Sequence, residues 1–157
     1  MKPENQGNRI IADNRYARHE YFITDVYEAG LVLTGTEVKA ARNGKVALKD
    51  GWAEVRNGEA WLEGVHISEY SHGNIENHKP VHARKLLLHK QEILKLIGKT
   101  REKGLTLIPL KMYLKEGRIK CEIGLAKGKK LHDKRETLKT REQEAEARSA
   151  MKARRYQ

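Results

Sequence analysis

The sequence predicts a mainly β protein: a small closed antiparallel barrel with flanking helices and a basic C-terminal tail. Three observations predict it. Between residues 106 and 125, apolar and polar residues alternate on both sides of a glycine turn. An Asn57-Gly58 pair separates two further apolar-rich stretches. Of the net charge of +11, set by 32 Lys/Arg against 21 Asp/Glu, +6 falls in residues 127–157, where 11 Lys/Arg stand against 5 Asp/Glu. A chain of 157 residues has room for one such domain.

Residues 1–13 read as a flexible N-terminal arm, 14–126 as the folded domain and 127–157 as the tail. Residues 14–22 interleave cations with aromatics and lead into the sheet. A strand pair is predicted at 20–28 and 31–35, turning at Ala29-Gly30. Residues 36–42 read as a short helix closed by Asn43-Gly44. Asn57-Gly58 is a type I′ turn signal, because both positions tolerate positive φ. Its arms, about 51–56 and 59–67, carry Trp52, Val55, Trp61, Leu62, Val65 and Ile67. Glycine and asparagine mark 71–78 as a loop. In residues 84–88, one-face alternation sends Leu86 and Leu88 inward and Leu87 outward. Residues 89–103 read as the longer helix, with Ile93, Leu94 and Ile97 on one side and Gly104 ending it.

The last hairpin is the clearest element. Ile108, Leu110, Met112 and Leu114 share one face, with Lys111, Tyr113 and Lys115 on the other. Past Glu116-Gly117, Ile119, Cys121, Ile123 and Leu125 take up the apolar face and Arg118, Lys120 and Glu122 the polar one. The tail is rich in helix formers but has too few apolar residues to fold alone. It is expected to be disordered when free and helical when docked. Six short strands and a crossover helix make an OB-like barrel the natural candidate, since closure leaves no open sheet edge. Periodicity leaves SH3-like and split-barrel topologies open.

Composition narrows function. The net charge points to a polyanionic partner, nucleic acid ahead of an anionic membrane. One cysteine, Cys121, excludes an intrachain disulfide framework and a thiolate zinc cluster, and fits a reducing cytoplasm. No apolar run reaches the ~20 residues of a membrane span, and the first residues lack a secretory signal. Histidines cluster between His66 and His89, but their spacing does not match a zinc motif. No metal and no cofactor is expected. Catalytic signatures are missing: no Gly-x-Ser-x-Gly, no P-loop, no His-Glu-x-x-His. Three stretches carry cations in binding-type patterns: 14–22, where guanidinium and phenol groups suit phosphate contact and stacking; 84–88, with Arg84 and Lys85 beside an outward Leu87; and 127–135, the densest basic run. A general single-strand-binding protein, a ribosomal structural protein, and a nuclease or peptidyl-tRNA hydrolase are the competing readings. The first needs more exposed aromatics than the nine in this chain.

Several segments, in order, resemble the bacterial SsrA-binding protein family (small protein B, SmpB). They are Ala17-Arg18-His19-Glu20-Tyr21-Phe22, Glu28-Ala29-Gly30-Leu31, Gly35-Thr36-Glu37-Val38-Lys39, Asp50-Gly51, Asn57-Gly58-Glu59-Ala60, Arg84-Lys85-Leu86-Leu87-Leu88, and Gly124 to Lys130 followed by His132-Asp133-Lys134-Arg135. The resemblance runs essentially end to end. It implies a non-enzymatic, cytoplasmic RNA-binding factor of trans-translation, monomeric when free. Such a factor binds the tRNA-like domain of transfer-messenger RNA (tmRNA, SsrA) and delivers it to stalled ribosomes, so that the nascent chain is tagged and the ribosome rescued. Elongation factor Tu is implied indirectly, through the aminoacylated RNA. By position, Asn14, Glu28 and Leu87 match RNA-binding residues of the family, with Arg18, His19, Glu37, Lys39, Arg84, Lys85, Lys127, Lys129 and Lys130 as supporting members. The resemblance assigns His132, Asp133, Lys134 and Arg135 to the decoding region of the small subunit, and Lys139, Arg141 and Met151 to the messenger channel. Ala150 stands where some relatives carry Ile before the tail methionine.

Overall fold

The computed structural model describes residues 8–71, 76–102 and 104–128. In chain order these form β1 (Arg9–Asp13), α1 (Arg15–Glu20), β2 (Tyr21–Leu31), α2 (Gly35–Arg42), β3 (Val46–Ala47), β4 (Trp52–Arg56), β5 (Glu59–Glu63), β6 (His66–Ile67), β7 (Arg84–Leu87), α3 (Lys90–Lys99), β8 (Leu105–Lys115) and β9 (Arg118–Gly128). The protein is mainly β with flanking helices. One sheet runs β1-β8-β4-β5-β7-β2-β9, and β8 pairs again with β9, so six of its strands form a ring with β1 added outside. Every pairing in it is antiparallel. β3 and β6 make a separate two-stranded ribbon.

The long hairpin β8–β9 is the axis of the fold. Its turn places Glu116 and Gly117 at φ 53° and 80°, the left-handed pair that fits the twist of the flanking strands. β9 alternates as the sequence predicts, with Ile119, Cys121, Ile123 and Leu125 all in the main core. β8 does not. A register shift between Pro109 and Lys111 changes which face points inward. Leu107, Met112 and Leu114 join the main core, whereas Ile108 and Leu110 form a second cluster with Ala17 and Ala126 beneath α1. The expected single face 108-110-112-114 is therefore two half-faces, because the bulge breaks the period. Pro109 lies where one edge of β8 passes from β4, at Ala53↔Leu107, to β1, at Asp13↔Lys111. Proline has no N–H to give a ladder, so a bulge between two partners is where it fits.

Several other expectations are corrected. Ala29-Gly30 is not a turn: β2 is continuous from Tyr21 to Leu31, and Gly30 pairs with Lys120 on one side and Leu87 on the other. A glycine suits that crossing because a Cβ there would lie 3.3 Å from Leu87 Cβ. Residues 9–13, placed in the arm, form β1 along β8. The described residues hold nine strands rather than six, since isolated pairs such as Val46–Ala47 are too short to show a period. Residues 15–20 form a helix that the cation–aromatic alternation concealed. The Asn57-Gly58 hairpin is present, with φ 51° and 77°, but its second arm stops at Glu63. α3 ends at Lys99, where the Thr100 hydroxyl donates to Leu96 O at 2.7 Å. Its buried anchor is Leu96, while Leu94 is 59% exposed.

Candidate nucleic-acid interface

Three of the expected site residues lie in the interior. Asn14, 3% exposed, is the N-cap of α1: its Oδ1 accepts from Ala17 N at 3.1 Å. Its Nδ2 donates to Pro109 O at 2.8 Å, so the same side chain satisfies the carbonyl freed by the β8 bulge. Glu37 and Arg84 are each 1% exposed. Glu37 closes a capping box at the start of α2, with Thr34 N donating to its Oε1 at 2.9 Å. Its Oε2 accepts from Arg84 Nε at 2.7 Å and from His82 Nε2 at 2.6 Å. Arg84 goes on to donate to Val65 O at 2.8 Å and Pro80 O at 2.9 Å. Burial pushes the Glu37 carboxyl up, but the hydrogen bonds from Thr34, Arg84 and His82 outweigh it and hold the carboxyl below the usual range. Nearby, His78 Nε2 donates to Ile67 O at 2.9 Å, leaving Nδ1 to accept from the Thr36 hydroxyl at 2.8 Å. These groups fasten α2 to the segment 65–84. Asn14, Glu37 and Arg84 are thus buried, bonded within the scaffold rather than presented on an outer face.

The remaining candidates among the described residues face outward, and cross-strand register brings some of them together. On the outer side of the ring one row runs Leu87–Gly30–Lys120–Tyr113–Ile10 across β7, β2, β9, β8 and β1. A second runs Glu28–Glu122–Lys111–Asp13. Leu87, at 51%, and Ile10, at 58%, are exposed at the two ends of the first row. Glu28 accepts from the Tyr113 hydroxyl at 2.5 Å and from Lys115 Nζ at 3.3 Å. Glu122 lies 3.7 Å from both Arg18 and Lys111, and Arg18 also pairs with Asp13 at 2.5 Å. A cleft of about 460 Å³ opens between Asn8, Ile10, Glu28, Tyr113 and Lys115. The face is a lattice of alternating charge rather than a basic stripe. It offers both donors and acceptors, with an apolar patch at each end.

Other candidates stand outside these two rows. Lys85 faces outward on β7 and pairs with Glu59 at 2.9 Å. His19 is on the exposed side of α1 beside Glu20. Lys39, on α2, lies over the Tyr70 ring at 5.6 Å. Lys127 is exposed near the end of β9, in register with Phe22. Lys129, Lys130, His132, Asp133, Lys134, Arg135, Lys139, Arg141 and Met151 fall outside the described residues, as does His72. Sequence reasoning missed Tyr113, Lys115, Lys111, Lys120 and Glu122 as members of this face. The signal was the polar side of the same β8–β9 alternation, but only register shows that it meets Glu28. Another cation–aromatic pair, Arg56 over Trp61 at 5.3 Å, decorates β4 and β5.

Among the described residues no cluster of His, Cys, Asp or Glu has metal-ligand geometry, and no helix is long and apolar enough to cross a membrane. The described face is open, with its polar groups spread across the sheet in the two rows given above. The chain belongs to the SmpB protein family, whose model matches residues 11–153. It is 59% identical over 98% of its length to the SsrA-binding protein of Nostoc punctiforme, covering 99% of that protein. It is 61% identical to the SsrA-binding protein of Enterococcus faecalis, over 89% of this chain and 90% of the relative. It is also similar to a chain in the solved structure "tmRNA-SmpB: a journey to the center of the bacterial ribosome", at TM-score 0.64 and 50% identity, over 74% of this chain and 82% of that one.

Proposed function

We propose that this chain is an RNA-binding factor of trans-translation: it binds the tRNA-like domain of tmRNA and delivers it to stalled ribosomes, allowing tagging of the nascent chain and ribosome rescue. The observation that carries the reading is family membership across residues 11–153, with SsrA-binding relatives near 60% identity over nearly the whole chain. The ring of six strands is, in this reading, an OB-like barrel, and the protein works by binding, without catalysis. It acts in the cytoplasm, enters as a monomer, and meets elongation factor Tu only through the aminoacylated RNA.

The outward face takes the RNA. Its mixed charges favour recognition of bases and riboses, which donate and accept hydrogen bonds, over neutralisation of phosphates alone. Leu87 packs against sugar or base, Glu28 accepts from RNA donors, and Arg18, His19, Lys39, Lys85 and Lys127 supply phosphate contacts. Asn14, Glu37 and Arg84 serve RNA binding indirectly, by fixing α1, α2 and β7. The basic run through Lys129, Lys130, Lys134 and Arg135 and the helix after it, with Lys139, Arg141 and Met151, enter the decoding region and messenger channel. Residues 133–155 as a helix span roughly 35 Å at 1.5 Å each. Paired measurements test the division: gel-shift affinity for tmRNA, and peptide tagging on ribosomes stalled without a stop codon. A proline at Ala145 removes about 3 kcal/mol of helix stability; it should leave tmRNA binding intact and stop tagging. Equal loss in both assays, or none in either, refutes the assignment, and failure of the unaltered chain to bind tmRNA refutes the function.

A further inference from the structure

A carboxylate on an RNA-binding face is a problem before it is a contact. Phosphates repel it, and a free Glu side chain loses rotamer entropy when it is fixed. Glu28 is on β2, exposed, with Glu122 beside it in register on β9. Two groups from β8 hold it. The Tyr113 hydroxyl donates to Oε2 at 2.5 Å, and Lys115 Nζ reaches both oxygens at 3.3 Å. Tyr113 is itself located by the Lys111 ammonium, 5.4 Å from the ring centre. The neighbouring Glu122 has Arg18 and Lys111 each at 3.7 Å, cations that offset its charge beside Glu28.

The electrostatics agree with the geometry. The hydrogen bond from Tyr113, ahead of the contributions of Lys115, keeps the Glu28 carboxyl below the usual range despite some desolvation. Burial first, and then Glu28, push the Tyr113 phenol up, so it keeps its proton and remains a donor. A carboxylate has about four acceptor sites. The phenol occupies one and the ammonium is shared between the two oxygens, so acceptor capacity remains on the side open to the cleft.

We propose that Tyr113 and Lys115 are positioning residues for RNA recognition: they clamp Glu28 in one ionised rotamer so that it accepts a hydrogen bond from an N–H or O–H donor of the bound RNA. The inference rests on the tmRNA-binding reading. The carboxylate is ordered before the RNA arrives, so its rotamer entropy is not lost on binding. The clamp also offsets the repulsion of nearby phosphates. Tyr113 acts through Glu28 and makes no contact of its own with the RNA through its hydroxyl.

A double-mutant cycle on the full chain, with tmRNA as the probe, tests it. Tyr113→Phe keeps the ring and removes only the donor. It should weaken binding about tenfold, the equivalent of 1.4 kcal/mol. Glu28→Ala should weaken it by at least as much, and Glu28→Ala/Tyr113→Phe no further than Glu28→Ala alone. Lys115→Met should show the same non-additivity and keeps the test decisive if Tyr113→Phe melts early. Losses that multiply, or a Tyr113→Phe chain that binds like the unaltered one, overturn the clamp. Failure of the unaltered chain to bind overturns instead the function on which it rests. Chemical probing of the complex separates the donors. Loss of base-edge protection in both Glu28→Ala and Tyr113→Phe marks a base amino or imino group, and loss of 2′-hydroxyl protection marks a ribose. Footprints unchanged in both variants overturn the proposal.

Discussion

Glu37 and Arg84 show how a charge pair with no solvent contact serves a binding protein. The pair is sealed at 2.7 Å, and every other strong donor of Arg84 goes to a backbone carbonyl. Removing Arg84 leaves the Glu37 carboxylate buried with only Thr34 N and His82 to hold it, which costs about 3–5 kcal/mol. Arg84→Ala should therefore lower the urea midpoint by that equivalent and weaken tmRNA binding only through unfolding. The pH dependence has a definite sign. The Glu37 carboxyl is held below its ordinary value of 4.5 in the folded chain. Its contribution is thus fully present above that value and is lost as pH falls through the lower, folded pKa. Urea titrations between pH 7 and pH 3 should show the gap between the native chain and Glu37→Gln closing at the acid end; a constant gap contradicts the assignment. Leu87 is the opposite case. Being half exposed, it adds little to the core, so Leu87→Ala should change stability by no more than about 0.5 kcal/mol. It should still weaken tmRNA binding by more than about fivefold, the 1 kcal/mol of an interface anchor, in a gel shift.

At the scale of elements, the β8 bulge is the device that lets one strand serve two cores. It places Ile108 and Leu110 under α1 and returns Met112 and Leu114 to the ring. Asn14 is its clasp, tying the α1 N-terminus to Pro109 O and, through its own backbone N–H, to Leu110 O at 2.8 Å. Asn14→Asp keeps the cap acceptor but loses the donor to Pro109. Asn14→Ala loses both, and a lost cap alone costs about 0.5–2 kcal/mol. Both variants should melt below native at pH 7, the Asp variant lowest, because its buried carboxylate would face the Pro109 and Leu48 carbonyls. Gly124 tests the same packing from the other side. A Cβ there would come 2.8 Å from Leu110 Cδ1 and 3.1 Å from Ile23 Cγ2, so Gly124→Ala should destabilise by about 1–3 kcal/mol.

For the whole molecule, charge is divided unevenly along the chain. The described face mixes signs, and the densest cation run begins at Lys127 and continues past the last described residue, Gly128. Because β9 pairs with β2 as far as Tyr21↔Gly128, a truncation that respects the fold ends after Gly128. That truncated chain should hold tmRNA to within about tenfold, or 1.4 kcal/mol, while tagging is abolished. Each neutralised phosphate adds about −0.7 to −0.9 to the log–log salt slope, so several contacts give about −3 or steeper for the full chain. Truncation should flatten it. A slope near zero for the full chain would mean the +11 charge has another purpose.

The β8–β9 hairpin with its Glu116-Gly117 turn, the Asn57-Gly58 turn, a short helix over 36–42 and the outward Leu87 were all legible in the residues, because each depends on neighbours within a few positions. The segments from Ala17 to Arg135 that resemble the SmpB family were legible for a different reason: order and spacing survive without any knowledge of contacts. Tertiary structure decided the rest. It turned the 14–22 alternation into a capped helix, extended β2 through Gly30, and split the β8 face at Pro109. It also sorted the candidate site residues, taking Asn14, Glu37 and Arg84 inside and setting Glu28 against Tyr113 across two strand pairings. Charge type is a property of the residue. Whether that charge meets solvent or a buried partner is fixed by which strands become neighbours, and neighbours here come from positions as far apart as Tyr21 and Gly128.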